Sequence, residues 1–268
     1  MDGNKNGYAL GRVTEEEFRR AFSIAKDAIL LQPAGRDRQA VLLGGQPGAG
    51  KSTLYGIRND LQSFLAINGD ALRYYHPRCR EVFAADPYSF VPAIQAFCVR
   101  LEEELIADLA TEGYNMVIEG TFRTTEVPLN TASFLASCGY RTEVSFLVCD
   151  AEVAWQSNVA RAKMQKERGL YPRLLPLEAY DRIAMALPEN LQTVLSAGMG
   201  TLFSDISMYD RAGRSLYTDG DNPSGILRSG LDLAHWRAVY PIYEREYPLR
   251  CVEIFGRKDR ALDEREER

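Results

Sequence analysis

Gly45-Gln46-Pro47-Gly48-Ala49-Gly50-Lys51-Ser52, followed by Thr53, reads G-x-x-x-x-G-K-S directly after the apolar run Ala40-Val41-Leu42-Leu43. A short apolar strand feeding a glycine-rich turn aims successive backbone N–H groups at a polyphosphate, so this stretch reads as a phosphate-binding P-loop. All nine residues, from Gly45 to Thr53, are candidate nucleotide contacts. Lys51 is placed to reach the β- and γ-phosphates, and the Ser52 hydroxyl to ligate Mg²⁺. Residues 53–61 are expected to continue as a helix, which completes the strand, loop, helix order that the motif requires.

Outward from the P-loop, apolar runs alternate with helical patterns. Phe64-Leu65-Ala66-Ile67 ends in Asn68-Gly69-Asp70, and a helical pattern over 88–112 stops at Gly113, where a C-cap glycine belongs. Met116-Val117-Ile118 then leads into Glu119-Gly120-Thr121-Phe122-Arg123-Thr124, a helix is expected over 128–137, and Val144-Ser145-Phe146-Leu147-Val148-Cys149 ends at Asp150. This alternation predicts a three-layer α/β fold of P-loop kinase type around a mostly parallel sheet. Ligands in such sheets lie beyond the carboxyl ends of the strands, which is where each of these polar clusters falls. The strand ending at Asp70 is expected beside the P-loop strand.

Upstream, Thr14-Glu15-Glu16-Glu17 has the form of a capping box for one amphipathic helix. Downstream, a helix over 151–168 turns basic at Arg161, Lys163, Lys166 and Arg168, and Gly169-Leu170-Tyr171-Pro172 separates it from Arg173, the pattern of a mobile basic lid. Helix over 177–197, a hairpin within 205–219 and a helix over 231–247 make a helical C-terminal extension. The expected organisation is a single domain: an N-terminal helix in 1–37, a core with lid in 38–186, the extension in 187–255 and a charged tail in 256–268.

A chain of 268 residues, 46% hydrophobic, can bury a core of ordinary size. The net charge of −5 gives no general attraction to nucleic acid or anionic lipid, so a polyanion must be held by a local cluster of Arg and Lys. Cys79, Cys98, Cys138, Cys149 and Cys251 lack any C-x-x-C pair and have only His76 and His235 beside them, which suits small buried apolar residues in a reducing cytosol and neither a disulfide framework nor a zinc site. The start of the chain lacks the apolar core of a signal peptide, so a cytoplasmic protein is expected.

Phosphoryl transfer needs a carboxylate near the attacking hydroxyl, cations over the transferred group and a pocket for the acceptor. Asp70 is the strongest carboxylate candidate, as general base or in a Mg²⁺-linked role, or else as the N-cap of a following helix. Asp150 ends an apolar strand in the manner of a Walker B site and could equally cap the next helix. Arg161 and Arg173 are candidate lid cations, since guanidinium holds phosphate oxygens bidentately. Glu119, Thr121 and Arg123 could line the acceptor pocket.

Taken together, Gly44 to Thr53, Asn68-Gly69-Asp70 with Arg73, His76-Pro77, Gly113-Tyr114-Asn115 and Ile118-Glu119-Gly120-Thr121-Phe122-Arg123-Thr124 resemble the zeta toxins of bacterial toxin–antitoxin systems over residues 38–185. The resemblance implies a kinase that uses ATP and Mg²⁺ to phosphorylate the 3′-hydroxyl of the sugar in UDP-N-acetylglucosamine, halting cell-wall synthesis. By matching position, Lys51 and Ser52 would hold ATP and Mg²⁺, Asp70 would be the base, and Arg161 and Arg173 would clamp the phosphates. Glu103, Glu119, Thr121, Arg123 and Thr131 fall at acceptor-contacting positions. The chain departs from the family in having Asn68-Gly69-Asp70 where Asp-Gly-Asp is usual, and its lid aligns only with a gap between Arg161 and Arg173. The family is held in check by an antitoxin; the short stretch before Ala40 leads to the expectation of a separate antitoxin chain and no fused domain. The alternatives are a P-loop kinase for another small molecule, a toxin that has kept ATP binding without catalysis, and a GTPase-type switch, the last disfavoured by the lack of an N-K-x-D base-recognition sequence.

Overall fold

The computed structural model describes residues 9–257. Its centre is a five-stranded sheet of β1 (Gln39–Gly44), β2 (Leu65–Asn68), β3 (Met116–Glu119), β4 (Arg141–Leu147) and β5 (Asp205–Tyr209), in the spatial order β2-β3-β1-β4-β5. All four strand pairings are parallel, with Leu43 opposite Glu119 and Leu42 opposite Val144. Parallel strands covered on both faces read as unbroken apolar runs, and β1 is buried from Ala40 onward.

Alternate residues of the strands feed two separate cores. Ala40, Leu42, Met116, Ile118, Val144 and Phe146 pack with α1 (Glu15–Ile29), α5 (Phe90–Thr111) and α6 (Glu126–Ser137) on one face. Val41, Leu43, Val117 and Leu147 pack with α7 (Ala151–Glu167) and α10 (Leu233–Phe255) on the other. The long helix α8 (Leu177–Gly198) serves both: Tyr180 and Ala184 join the second core, Leu187 and Leu191 the first, with Pro188 at the change-over. The expected three layers are therefore present.

The capping box forms as read. Thr14 Oγ1 accepts from the Glu17 N–H at 3.2 Å, and the Thr14 N–H donates to Glu17 Oε2 at 2.8 Å. Three expectations are corrected. Residues 53–61 do not continue as one helix: α2 covers only Lys51–Leu54, and a 3₁₀ turn, Asn59–Ser63, follows. Arg58 between them is extended because its guanidinium is drawn inward to Glu143 Oε1 at 2.6 Å, with Asp60, Ser145 and Ser207 around it. The segment 205–219 supplies a fifth parallel strand, and the hairpin is reduced to the Tyr209–Ser215 bridge with the Asp210 N–H donating to Arg214 O and the Leu216 N–H to Met208 O. The C-terminal helix is longer than expected, running through Pro241 and Pro248 to Phe255, and a separate helix α9 (Pro223–Leu231) precedes it. Residues 1–8 and most of the charged tail lie outside the described residues. No helix among the described residues is long and apolar enough to cross a membrane.

Candidate active site

A cleft of about 730 Å³ opens across the carboxyl ends of β1, β2 and β3, roofed by α5 and α7. The P-loop forms one wall, with Pro47, Gly48, Gly50, Lys51, Ser52 and Thr53 on its surface. Gly48 and Gly50 adopt left-handed backbone, at φ +82° and +102°. A Cβ on Gly48 would stand 2.1 Å from Ala154 O, so only glycine lets α7 close onto the loop. Gly45, Gln46 and Ala49 lie behind the cleft surface. Gln46 is fully buried and its Nε2 donates to Cys149 O at 2.5 Å, which anchors the loop to the end of β4.

Lys51 Nζ donates to Gly45 O at 2.8 Å and Gln46 O at 3.3 Å, curled back over the loop that would cradle the phosphates. Burial pulls its ammonium down to about 8, against the opposing pull of Glu119, and Arg161 and Arg173 lower it further.

The strand order corrects the expectation that β2 adjoins β1. β3 lies between them, so Glu119, which ends β3, stands next to the P-loop, where it accepts from Ser52 Oγ at 3.2 Å and Tyr55 OH at 2.7 Å. This hydroxyl and carboxylate form an all-oxygen donor set of the kind Mg²⁺ shares with phosphates and water. Among the described residues no group of three or more His, Cys, Asp or Glu could hold a metal unaided, so the pair fits an ion brought with a polyphosphate.

Asp70 reaches the same cleft from the end of β2. Its capping alternative is answered by Asn68, whose Oδ1 accepts from the Asp70 N–H at 2.9 Å and takes the N-cap of the short helix α3 (Gly69–Leu72). The Asp70 carboxylate is thereby left for the cleft, where Arg73 Nη2 pairs with Oδ1 at 2.8 Å and Arg173 with Oδ2. Asp150, by contrast, is the N-cap of α7 and accepts from the Val153 N–H at 2.9 Å.

The basic stretch of α7 divides by helical face. Lys163 Nζ pairs with Glu253 at 2.7 Å and Lys166 Nζ donates to Glu253 O at 2.6 Å, both toward α10, whereas Arg161 faces the cleft with Arg173. Burial lowers Arg161 below the usual guanidinium range and brings Arg173 to about 10, which leaves Arg173 cationic at neutral pH. Arg161 Nη2 donates to Asn158 Oδ1 at 3.0 Å, and Asn158 Nδ2 donates to Pro47 O at 2.8 Å. Asn158 thus ties Arg161 to the P-loop, a role unseen in the sequence although it lies three residues before Arg161 on one helical face.

The remainder of the cleft carries Glu103 from α5, Glu119 at the end of β3, Thr121 and Arg123 just after it, and Thr131 from α6. Phe122 makes this loop possible: at φ +49° it turns its ring into the core, edge-on to Phe146 at 5.0 Å, and leaves Thr121 and Arg123 facing the cleft. Glu102, beside Glu103, lines the same region; burial first, then Glu103 and Glu119, push its carboxyl up to about 7.

Sheet order, P-loop and cleft together define a nucleotide-binding protein with a P-loop kinase-like fold. The zeta toxin family model matches residues 24–222, and the chain belongs to that family. Toxin zeta of Streptococcus pyogenes is 35% identical over 188 residues, 69% of this chain and 64% of that protein. Toxin zeta of Enterococcus hirae is also 35% identical over 188 residues, 65% of its length. The chain therefore spans just under two thirds of these relatives. Toxin PezT of Streptococcus pneumoniae serotype 4 is 28% identical over 213 residues, 78% of this chain and 83% of PezT. A solved structure from the PezAT chromosomal toxin–antitoxin system of Streptococcus pneumoniae has the same fold, with a TM-score of 0.73 at 24% identity over 92% of this chain and all of that one. An AvrRxo1-ORF1:-ORF2 structure with ATP shares the fold more distantly, with a TM-score of 0.54 at 11% identity over 75% of this chain and 66% of that one.

Proposed function

We propose that this protein is an ATP-dependent kinase that phosphorylates the 3′-hydroxyl of the sugar in UDP-N-acetylglucosamine, blocks cell-wall synthesis, and is neutralised by a separate antitoxin chain. The observation that carries the reading is the meeting of Lys51 and Asp70 in one cleft that is also lined by Glu103, Thr121, Arg123 and Thr131, with Glu119 between these and the P-loop. A nucleotide site alone needs the P-loop; a second polar pocket at the γ-phosphate end makes a site for two substrates.

In this reading Lys51 and the P-loop amides hold the ATP phosphates, and Ser52 with Glu119 would hold Mg²⁺, which neutralises charge on the β- and γ-phosphates. Asp70 accepts the proton of the acceptor hydroxyl, held at the correct angle by Arg73. Arg173, freed from Asp70 when phosphate arrives, joins Arg161 over the transferred group. Carboxylates and hydroxyls beyond Asp70 suit sugar hydroxyls, and Arg123 suits a diphosphate. The acceptor is the one that the resemblance to the zeta toxins implies, and the likeness to a structure from the PezAT toxin–antitoxin system supports a separate antitoxin partner.

The test is phosphotransfer from ATP to a panel of nucleotide sugars and antibiotics, with the product's phosphate located by mass spectrometry. Phosphorylated UDP-N-acetylglucosamine is expected; turnover of an antibiotic or another nucleotide sugar without it would overturn the acceptor assignment.

A further inference from the structure

The P-loop gives the triphosphate a direction. Lys51, reaching the β- and γ-phosphates, marks the end where transfer occurs, so the ribose and base must leave past Thr53 toward the opposite rim of the cleft. Arg211, in the turn Asp210-Arg211-Ala212-Gly213 after β5, lines the cleft on that side. The Asp210 carboxylate accepts the N–H groups of Ala212 and Arg214 at 2.9 Å each and Arg214 Nε at 2.6 Å. Gly213, at φ +80°, presses so closely on Ile57 that a Cβ there would lie 2.1 Å from its Cγ2. The turn is thus fixed against the segment that follows the P-loop.

Arg211 projects from this turn over the loop. Its Nε lies 3.6 Å from where a Cβ on Gly50 would be, and Nη1 donates to Ser157 Oγ on α7 at 3.3 Å. The Cys149 thiol lies beside the same guanidinium, and among the described residues no carboxylate pairs with it. Lys51, Arg161 and Arg173 already bring three cations to the interior of the cleft, whereas Arg211 is exposed at its edge. A planar, weakly hydrated guanidinium with no carboxylate partner is suited to lie against an aromatic face.

We propose that Arg211 stacks on the nucleobase of bound ATP and that, with Ser157, it forms the base subsite of the cleft. This rests on the ATP half of the kinase reading. A stacking role depends on the shape of the guanidinium, so lysine cannot replace it, and a ligand lacking a base does not feel its loss.

The test compares wild type, Arg211→Ala and Arg211→Lys by titration calorimetry with ATP and with inorganic tripolyphosphate, both with Mg²⁺. Both variants should bind ATP about tenfold more weakly while their affinity for tripolyphosphate stays within about twofold of wild type. Unchanged ATP affinity would overturn the subsite and leave the kinase reading standing. Equal weakening of both ligands in Arg211→Ala with recovery in Arg211→Lys would make Arg211 a phosphate contact and also overturn it. Wild-type protein that binds tripolyphosphate but not ATP would overturn both readings together.

Discussion

Asp70 stands between two guanidiniums, and that geometry separates its duties from those of the P-loop. It touches neither Lys51 nor the loop backbone, so replacing it should disturb chemistry and spare nucleotide binding. Asp70→Asn is expected to lower phosphotransfer by about two to four orders of magnitude while ATP affinity, measured by calorimetry, stays within about twofold; unchanged turnover would remove Asp70 as the base. Lys51 gives a prediction of the opposite kind. Its ammonium titrates at about 8 in the free protein, chiefly because it is buried. A bound polyphosphate favours the charged form and raises that value, so binding takes up a proton wherever free Lys51 is neutral. ATP affinity should therefore be level below pH 8 and fall above it by about tenfold per pH unit, with proton uptake visible as a dependence of the binding heat on the buffer's ionisation enthalpy. A level affinity to pH 9.5 would show that Lys51 is charged without its ligand.

The elements show why some features were legible in the sequence and others were not. Signals confined to a few neighbouring residues survived: the capping box of α1, the P-loop, and the glycine that ends α5 each depend on local backbone chemistry. Features set by distant partners did not. Residues 53–61 look helical, but Arg58 is claimed by Glu143 on β4, eighty-five positions away, and the chain turns to deliver it. Likewise the order of β2 and β3 is a matter of topology, which is why Glu119 and not Asp70 stands beside Ser52. Asn158 and Arg211 acquire their places only through packing against the P-loop. If Arg58 is what breaks the helix, it is also a keystone of the sheet's β4–β5 edge. Arg58→Met would leave Glu143 facing a largely buried space without its cation, and should destabilise the protein by about 2–4 kcal/mol, measured by denaturant unfolding. Glu143→Gln in the same background should recover part of that loss, because it removes the stranded charge.

At the scale of the molecule, a protein of net charge −5 gathers Lys51, Arg73, Arg161 and Arg173 into one cleft, so the attraction for a polyanion is local and enclosed. The cleft also draws on both sides of the sheet: α5 and α6 belong to one core, α7 to the other, and α8 runs through both. A ligand held there braces layers that are otherwise joined mainly by the strands and α8. ATP with Mg²⁺ at about one hundred times its Kd contributes about 2.7 kcal/mol to the folded state, which for a chain of this size is a rise in Tm of about 5–10 °C. Because α8 links the two cores, the unfolding transition should remain single and move as a whole. Two resolved transitions, with only one displaced by ATP, would mean that the layers unfold independently. Lys51→Ala, which removes the cation at the centre of the phosphate site, should lose most of the ATP-induced shift while still unfolding in one step, and an undiminished shift in that variant would place the nucleotide elsewhere than the P-loop.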